Sequence, residues 1–160
     1  MHQKRHAILA LTLLACLTAT KVRAADCDAV ISRHMIAEAM LAAQYVALAE
    51  KAGMTPPQIN GVLKTIAEAS AIEEFWITDP AGHAYLTNTG IDFTFSPDPG
   101  KQAQASAFWP LIDGHKKVVV QEARKREIDD RIFKYVGVAG VDKPRIVQVG
   151  VSEQNLTSCK

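Results

Sequence analysis

The chain has 160 residues, 48 % hydrophobic and 22 % charged, with 18 basic against 17 acidic side chains and a formal charge of +1. Four of the basic residues (Lys4, Arg5, Lys21, Arg23) and none of the acidic ones fall in the first 24 positions, so the remainder carries 14 against 17, near −3. That balance excludes a binder of nucleic-acid phosphates or a polybasic membrane-surface module, both of which need a clustered positive field.

The N-terminus reads as an export signal. Met1–Arg5 is basic, His6–Thr20 is almost wholly apolar, and Val22-Arg23-Ala24 offers small residues at the spacing of a cleavage site. The apolar run is shorter than the roughly 20 residues that span a bilayer, and no later segment is apolar enough. The expectation is residues 1–24 as a secretory signal peptide and 25–160 as one periplasmic domain with no transmembrane segment. Leu13-Leu14-Ala15-Cys16 also resembles a lipobox, the minority alternative, in which Cys16 would carry a lipid anchor.

Cleavage would leave two cysteines, Cys27 and Cys159, at opposite ends of the domain. An oxidising compartment favours a disulfide between them over two free thiols.

Cys27 to Ala52 predicts a long helix, with Ile31, Met35, Ala42, Tyr45 and Ala49 in one apolar stripe and Gly53 at its C-terminal end. Thr55, Pro56 and Gln58 form a capping-box pattern for a second helix. Its expected buried face is Ile59, Val62, Leu63 and Ile66, and it fades near Ser70. The period then changes to that of strands. Phe75–Thr78 and His83–Thr87 flank Asp79-Pro80-Ala81-Gly82, a turn in which Pro presets φ and Gly takes the difficult conformer. Asn88 to Gly100 is a loop containing Phe93 and Phe95, both too apolar to sit bare in water. Ser106 to Ile112 predicts a short helix with Phe108, Trp109 and Leu111 facing inward. Three strands follow, Lys117–Arg124, Arg131–Val138 and Arg145–Val151. Two helices followed by five strands in hairpin order predict an α+β domain: helices packed on a five-stranded antiparallel sheet.

Enzyme templates are absent. The sequence has no G-x-S-x-G, no G-x-x-x-x-G-K-[ST] and no H-E-x-x-H, and Gly137-Val138-Ala139-Gly140 follows a strand without opening a helix. His34, His83 and His115 lack metal-ligand spacing, and there is no C-x-x-C-H. No catalytic residue, metal or cofactor is expected. Glu73 and Glu74 would point to opposite faces of a strand, and Asp129-Asp130 reads as a solvated turn.

Phe75-Trp76-Ile77-Thr78-Asp79-Pro80-Ala81-Gly82-His83-Ala84-Tyr85 resembles the first hairpin of an extracytoplasmic Cache domain. Phe133–Val138 and Pro144–Gly150 resemble its closing hairpin. Cache domains are the PAS-like sensor modules of bacterial chemoreceptors and histidine kinases, and the resemblance covers Cys27 to Val151. It implies a small-molecule pocket on one face of the sheet, often for organic acids or amino acids. It also implies ligand-driven shifts of the long N-terminal helix and the C-terminal strand. Here no second membrane helix or transmitter follows, so such a sensor would act through a partner, a membrane receptor or kinase.

The residues themselves nominate a pocket. Trp76, Tyr85, Phe93, Phe95 and Trp109 concentrate aromatic surface, as core or as pocket wall. Arg124, Arg126, Lys134 and Tyr135 are candidate polar groups, an Arg fork being suited to a carboxylate; Arg124-Lys125-Arg126 reads equally as a solvated charge run. Lys134 sits among apolar neighbours, so it either snorkels or has a partner, a ligand acid being one choice. The candidate ligand site is Trp76, Tyr85, Trp109, Arg126, Lys134 and Tyr135, for a carboxylate or amino acid. Two other classes compete: a small exported hydrolase-like enzyme on the same scaffold, and a structural docking partner of a membrane receptor.

Overall fold

The computed structural model of the chain describes the backbone of residues 3–156 and the side chains of residues 27–156. The signal-peptide reading of residues 1–24 and the lipobox at Cys16 therefore lie outside the described side chains, as does Cys159. No helix among the described residues is long and apolar enough to cross a membrane.

Helix α1 (Gln3–Lys51) leads into α2 (Pro56–Ala69). Between them Gly53 takes φ +78°, the left-handed conformer that closes a helix at low cost to glycine. The Gln58 side chain accepts from the Thr55 amide (2.8 Å) and hydroxyl (3.0 Å), fixing the start of α2. Only Ile59 and Leu63 of its expected face are buried; Val62 is 37 % and Ile66 42 % exposed. A stripe of i, i+4 positions suffices for the α2 contact with the hairpin, so the i+3 neighbours flank it.

The sheet is antiparallel throughout and has six strands rather than five: β1 (Glu74–Thr78), β2 (Ala84–Thr87), β3 (Val118–Val120), β4 (Arg124–Lys125), β5 (Ile132–Ala139) and β6 (Ile146–Ser152). The order is β2-β1-β6-β5-β3, with β4 also on β5. The extra strand comes from a break in the predicted Lys117–Arg124 segment. Val120 faces Val136, but Arg124 faces Phe133, one residue out of step. That is a bulge, which adds a residue to one strand and which alternation alone cannot locate. Buried Gln121 sits there: its amide donates to Tyr135 O (2.9 Å) and its side chain to Gln104 O (2.8 Å).

The two sheet faces have different covers. On one, α1 and α2 pack against Phe75, Ile77, Leu86, Val136, Val138, Val147, Val149 and Val151. On the other, Trp76, Phe133, Tyr135 and Ile146 lie under a loop carrying Phe93 and Phe95 and a 3₁₀ helix (Ala105–Leu111). The 3₁₀ period places Ala105, Phe108 and Leu111 in one buried line. Trp109 falls off that line and is half-buried, contrary to the α-helical expectation. It packs on the hairpin turn instead: a Cβ at Gly82 (φ +87°) would meet Trp109 at 2.8 Å and Phe95 O at 2.6 Å.

Candidate functional site

Alternation along β1 sends Glu74 and Trp76 to the loop-covered face, and alternation along β5 sends Phe133 and Tyr135 there too. Gly150 on the intervening β6 makes room: a Cβ there would lie 2.4 Å from the Tyr135 ring. The Tyr135 hydroxyl can therefore reach across to the strand beyond. The Glu74 carboxylate accepts from the Trp76 indole (3.0 Å) and the Tyr135 hydroxyl (2.7 Å) through Oε2, and from Arg126 through Oε1. Glu73 points the other way, accepting from the Ser152 amide (3.1 Å) and Asn155 (2.8 Å).

Arg126 is the centre of this cluster and is only 3 % exposed. Its Nε and second terminal nitrogen grip both oxygens of Asp129, each at 2.5 Å, while its first terminal nitrogen donates to Glu74. The guanidinium lies 4.5 Å over the Phe133 ring, which stacks on Tyr135 at 5.5 Å. Arg131 adds a second contact to Asp129 (2.8 Å). The Arg126 hydrogen bonds hold the Asp129 carboxyl well below the usual carboxylate range, and the Asp129 contact in turn raises Arg126. Burial, with Glu74 beside it, pushes the Tyr135 phenol well above its ordinary value, so it remains a donor. Asp129 is thus an arginine partner rather than only a solvated turn residue; its neighbour Asp130 takes φ +62°.

Beside this cluster lies a cavity of about 20 Å³, walled by Trp76, Phe93, Phe95 and Tyr135 and edged by Gln104, Arg126 and Gln148. About 10–15 Å³ holds one water, whereas drug-sized ligands occupy several hundred. Glu127 also reaches the cavity, but its carboxylate accepts from the Gln104 amide (2.6 Å) and the Ala105 amide (3.4 Å), at the start of the 3₁₀ helix. The Gln104 side-chain nitrogen is buried at the cavity edge without a hydrogen-bond partner. An unmade buried donor costs about 1–3 kcal/mol.

Of the six residues nominated from sequence, Trp76, Arg126 and Tyr135 meet at this cavity. Trp109 does not, because it covers the turn at Gly82. Lys134 lies on the helix face of β5, fully buried, with its ammonium 3.0 Å from Asp28 of α1. Its partner is an acid of this chain rather than of a ligand. Tyr85 also faces the helices: its hydroxyl donates to Glu50 and accepts from Arg145 (2.6 Å). Lys143 (2.9 Å) and Arg145 (3.1 Å) both pair with Glu50, and Asp142 grips Arg145. This cluster pins the end of α1 to the β5–β6 turn. Arg124 is exposed on β4. Cys27 is disulfide-bonded; its expected partner Cys159 lies outside the described residues.

Glu74, Asp129 and Gln104 were not read as site residues. The signal for Glu74 was its place two residues before Trp76, on the same strand face; nothing local marks Gln104. Among the described residues no group of three or more His, Cys, Asp or Glu could hold a metal. His83 pairs with Asp92 (3.0 Å) and His115 with Asp113 (2.9 Å), both near the surface.

The chain matches no protein-family model and no curated protein.

Proposed function

We propose that this chain is an exported, single-Cache-like sensor module that binds a small carboxylate or amino acid, without catalysis of its own. The observation that carries this reading is the Arg126 fork. It already holds a carboxylate, that of Asp129, two-pronged at the edge of an aromatic cavity. A ligand carboxylate presents the same two oxygens to the same donors. Asp129 sits on the exposed turn between Arg126 and Arg131, so exchanging it for a ligand leaves the sheet intact. The cavity grows as that turn and the Phe93 loop lift, and the Gln104 amide gains an acceptor. Glu74 has both oxygens engaged by donors, an arrangement suited to holding Arg126 in place more than to moving protons. The two segments that resemble a Cache domain also pair directly, β1 on β6, which supports reading them as one module. In this reading the bound state is handed to a membrane receptor or kinase from the periplasm.

Calorimetry with two- to four-carbon carboxylates and amino acids tests the proposal. Asp129→Asn removes the internal competitor and should tighten binding about 10-fold, or about 1.4 kcal/mol. Arg126→Met, combined with Glu74→Gln so that no charge is stranded, should weaken it roughly 10- to 150-fold, since a charge-assisted hydrogen bond contributes about 1.5–3 kcal/mol. Equal affinity in all three proteins, or binding of neutral and cationic ligands only, would reject it.

A further inference from the structure

The two margins of the sheet are finished differently. Beyond β2 the loop carrying Phe93 and Phe95 closes the edge: the Ala84 amide donates to Phe93 O and the Phe95 amide to Gly82 O, both at 2.9 Å. Beyond β3, among the described residues, no strand pairs. Gln121 N donates to Tyr135 O (2.9 Å) and Ala139 N to Lys117 O (3.0 Å), so Lys117, Val119 and Gln121 turn their backbone groups to β5. Alternate residues of an antiparallel strand serve opposite neighbours. The N–H and C=O of Val118 and of Val120 therefore point outward. Their side chains are exposed too, Val118 by 38 % and Val120 by 42 %. An open edge of this kind is a template for another strand.

The sequence along this edge is its own complement. Lys116-Lys117-Val118-Val119-Val120-Gln121-Glu122 is basic at one end, acidic at the other and apolar between. Lys116, Lys117 and Glu122 are exposed and make no ion pair among the described residues. When two such strands pair antiparallel about Val119, Val118 faces Val120 of the other copy, Lys117 faces Gln121, and Lys116 faces Glu122. Val118 and Val120 then exchange both of their N–H···O bonds on each side of the axis, so every outward group is satisfied. In a parallel pair Lys116 would meet Lys116, and like charges directly opposite are destabilising. The charges thus choose the antiparallel register. Val118 also walls an apolar groove of about 580 Å³ with Val138 and Val141, and Val120 of the second copy would extend that wall.

We propose that the β3 edge receives the β3 edge of a second copy of the chain, antiparallel about a two-fold axis at Val119, joining the two sheets into one. The covered margin at β2 stops the assembly at a closed dimer. The inference is independent of the ligand reading, since it uses backbone groups and side chains outside the Arg126 cluster.

Sedimentation equilibrium and amide hydrogen exchange of the protein purified after expression of the full chain decide it. The paired segment is short, so a Kd on the order of 0.1 mM is expected, and the mass should rise from monomer toward dimer between about 10 µM and about 1 mM. Over the same range the Val118 and Val120 amides should become protected, whereas Val119, paired with β5, is protected throughout. Val120→Pro removes an outward donor without touching a bond to β5. It should weaken association about 30-fold, because each copy loses one hydrogen bond to the other. Lys116→Glu or Glu122→Lys alone should weaken it roughly 5- to 10-fold, and the two together should restore it. Unchanged protection of Val119 confirms that each charge variant is folded. A wild type still monomeric at about 1 mM, association that leaves the Val118 and Val120 amides unprotected, or a charge swap that fails to restore association would each overturn the proposal.

Discussion

The two faces of the sheet are built from different chemistry. The helix face is a continuous layer of Val, Ile, Leu and Phe under Ala-rich α1, with its ions at the edges: Lys134–Asp28 at one end and the Glu50–Arg145 cluster at the other. The loop face is aromatic and buries a carboxylate and a guanidinium, Glu74 and Arg126, at the same end of the sheet as Lys134. Aliphatic packing on regular elements gives rigidity at no polar cost. Buried ions are retained only where partners satisfy them, and a loop cover can open with less loss than a packed helix. The contrast separates what holds the domain together from what could change on binding.

The largest expected effect belongs to the helix face. Cys27 lies on α1, and its predicted bridge to Cys159 would close a loop of more than 100 residues, worth about 4–5 kcal/mol in the chain-entropy model. Non-reducing peptide mapping should find the two peptides linked, and Cys27→Ser should lose that stability in urea. Two free peptides would leave the helix face without this closure.

Trp76→Ala should cost about 3–5 kcal/mol and, unlike any helix-face change, should also abolish ligand binding. The indole is 2 % exposed, walls the cavity and donates to Glu74. Leu86→Ala on the helix face should cost about 2–5 kcal/mol with ligand affinity unchanged. If Leu86→Ala weakened binding as much as Trp76→Ala, the division between the faces would collapse.

A third test is alkaline titration of the phenol absorbance. Burial raises all three tyrosines: Tyr45 alone, Tyr85 with help from its bond to Glu50, and Tyr135 with help from Glu74. A phenol with a higher pKa folded than unfolded favours the fold while neutral. That contribution is full below about pH 10 and is lost as the pH rises further. Phenolate should therefore appear together with unfolding, not as a separate step near pH 10. A bound carboxylate should delay Tyr135 more than Tyr45 or Tyr85. The smallest effect is expected at Val62→Ser, within about 0.5 kcal/mol, because Val62 is a flanking position of α2.

Much of the fold was legible in the sequence because it is local. The capping box at Thr55, the Gly53 stop and the Asp79–Gly82 turn act within a few residues, and each stands where its chemistry placed it. Alternation on β5 correctly put Phe133 and Tyr135 together, opposite Lys134. What was not legible depends on distant partners or on a small change of period. The bulge at Gln121 shifts register by one residue, and the tighter period of Ala105–Leu111 turns Trp109 aside. Lys134 and Tyr85 were assigned to the pocket because their acids, Asp28 and Glu50, come from a helix 106 and 35 positions earlier in the chain. A buried charge announces that it has a partner but not which one.

The last strand, β6, lies in the middle of the sheet, between β1 and β5. Glu74 pairs with Gly150 across most of the domain, so the hairpin made first waits for the strand made last. Closing so long a loop before its contacts form is slow. Until Ile146–Ser152 emerges, β1 and β5 each present an open edge ready to pair with another molecule. Removing those seven residues would therefore do more than shorten the sheet: it would leave two half-sheets with sticky margins, and an aggregate in place of a truncated domain. Whatever chaperones this chain must hold it unfolded, or shield those edges, until its final strand arrives.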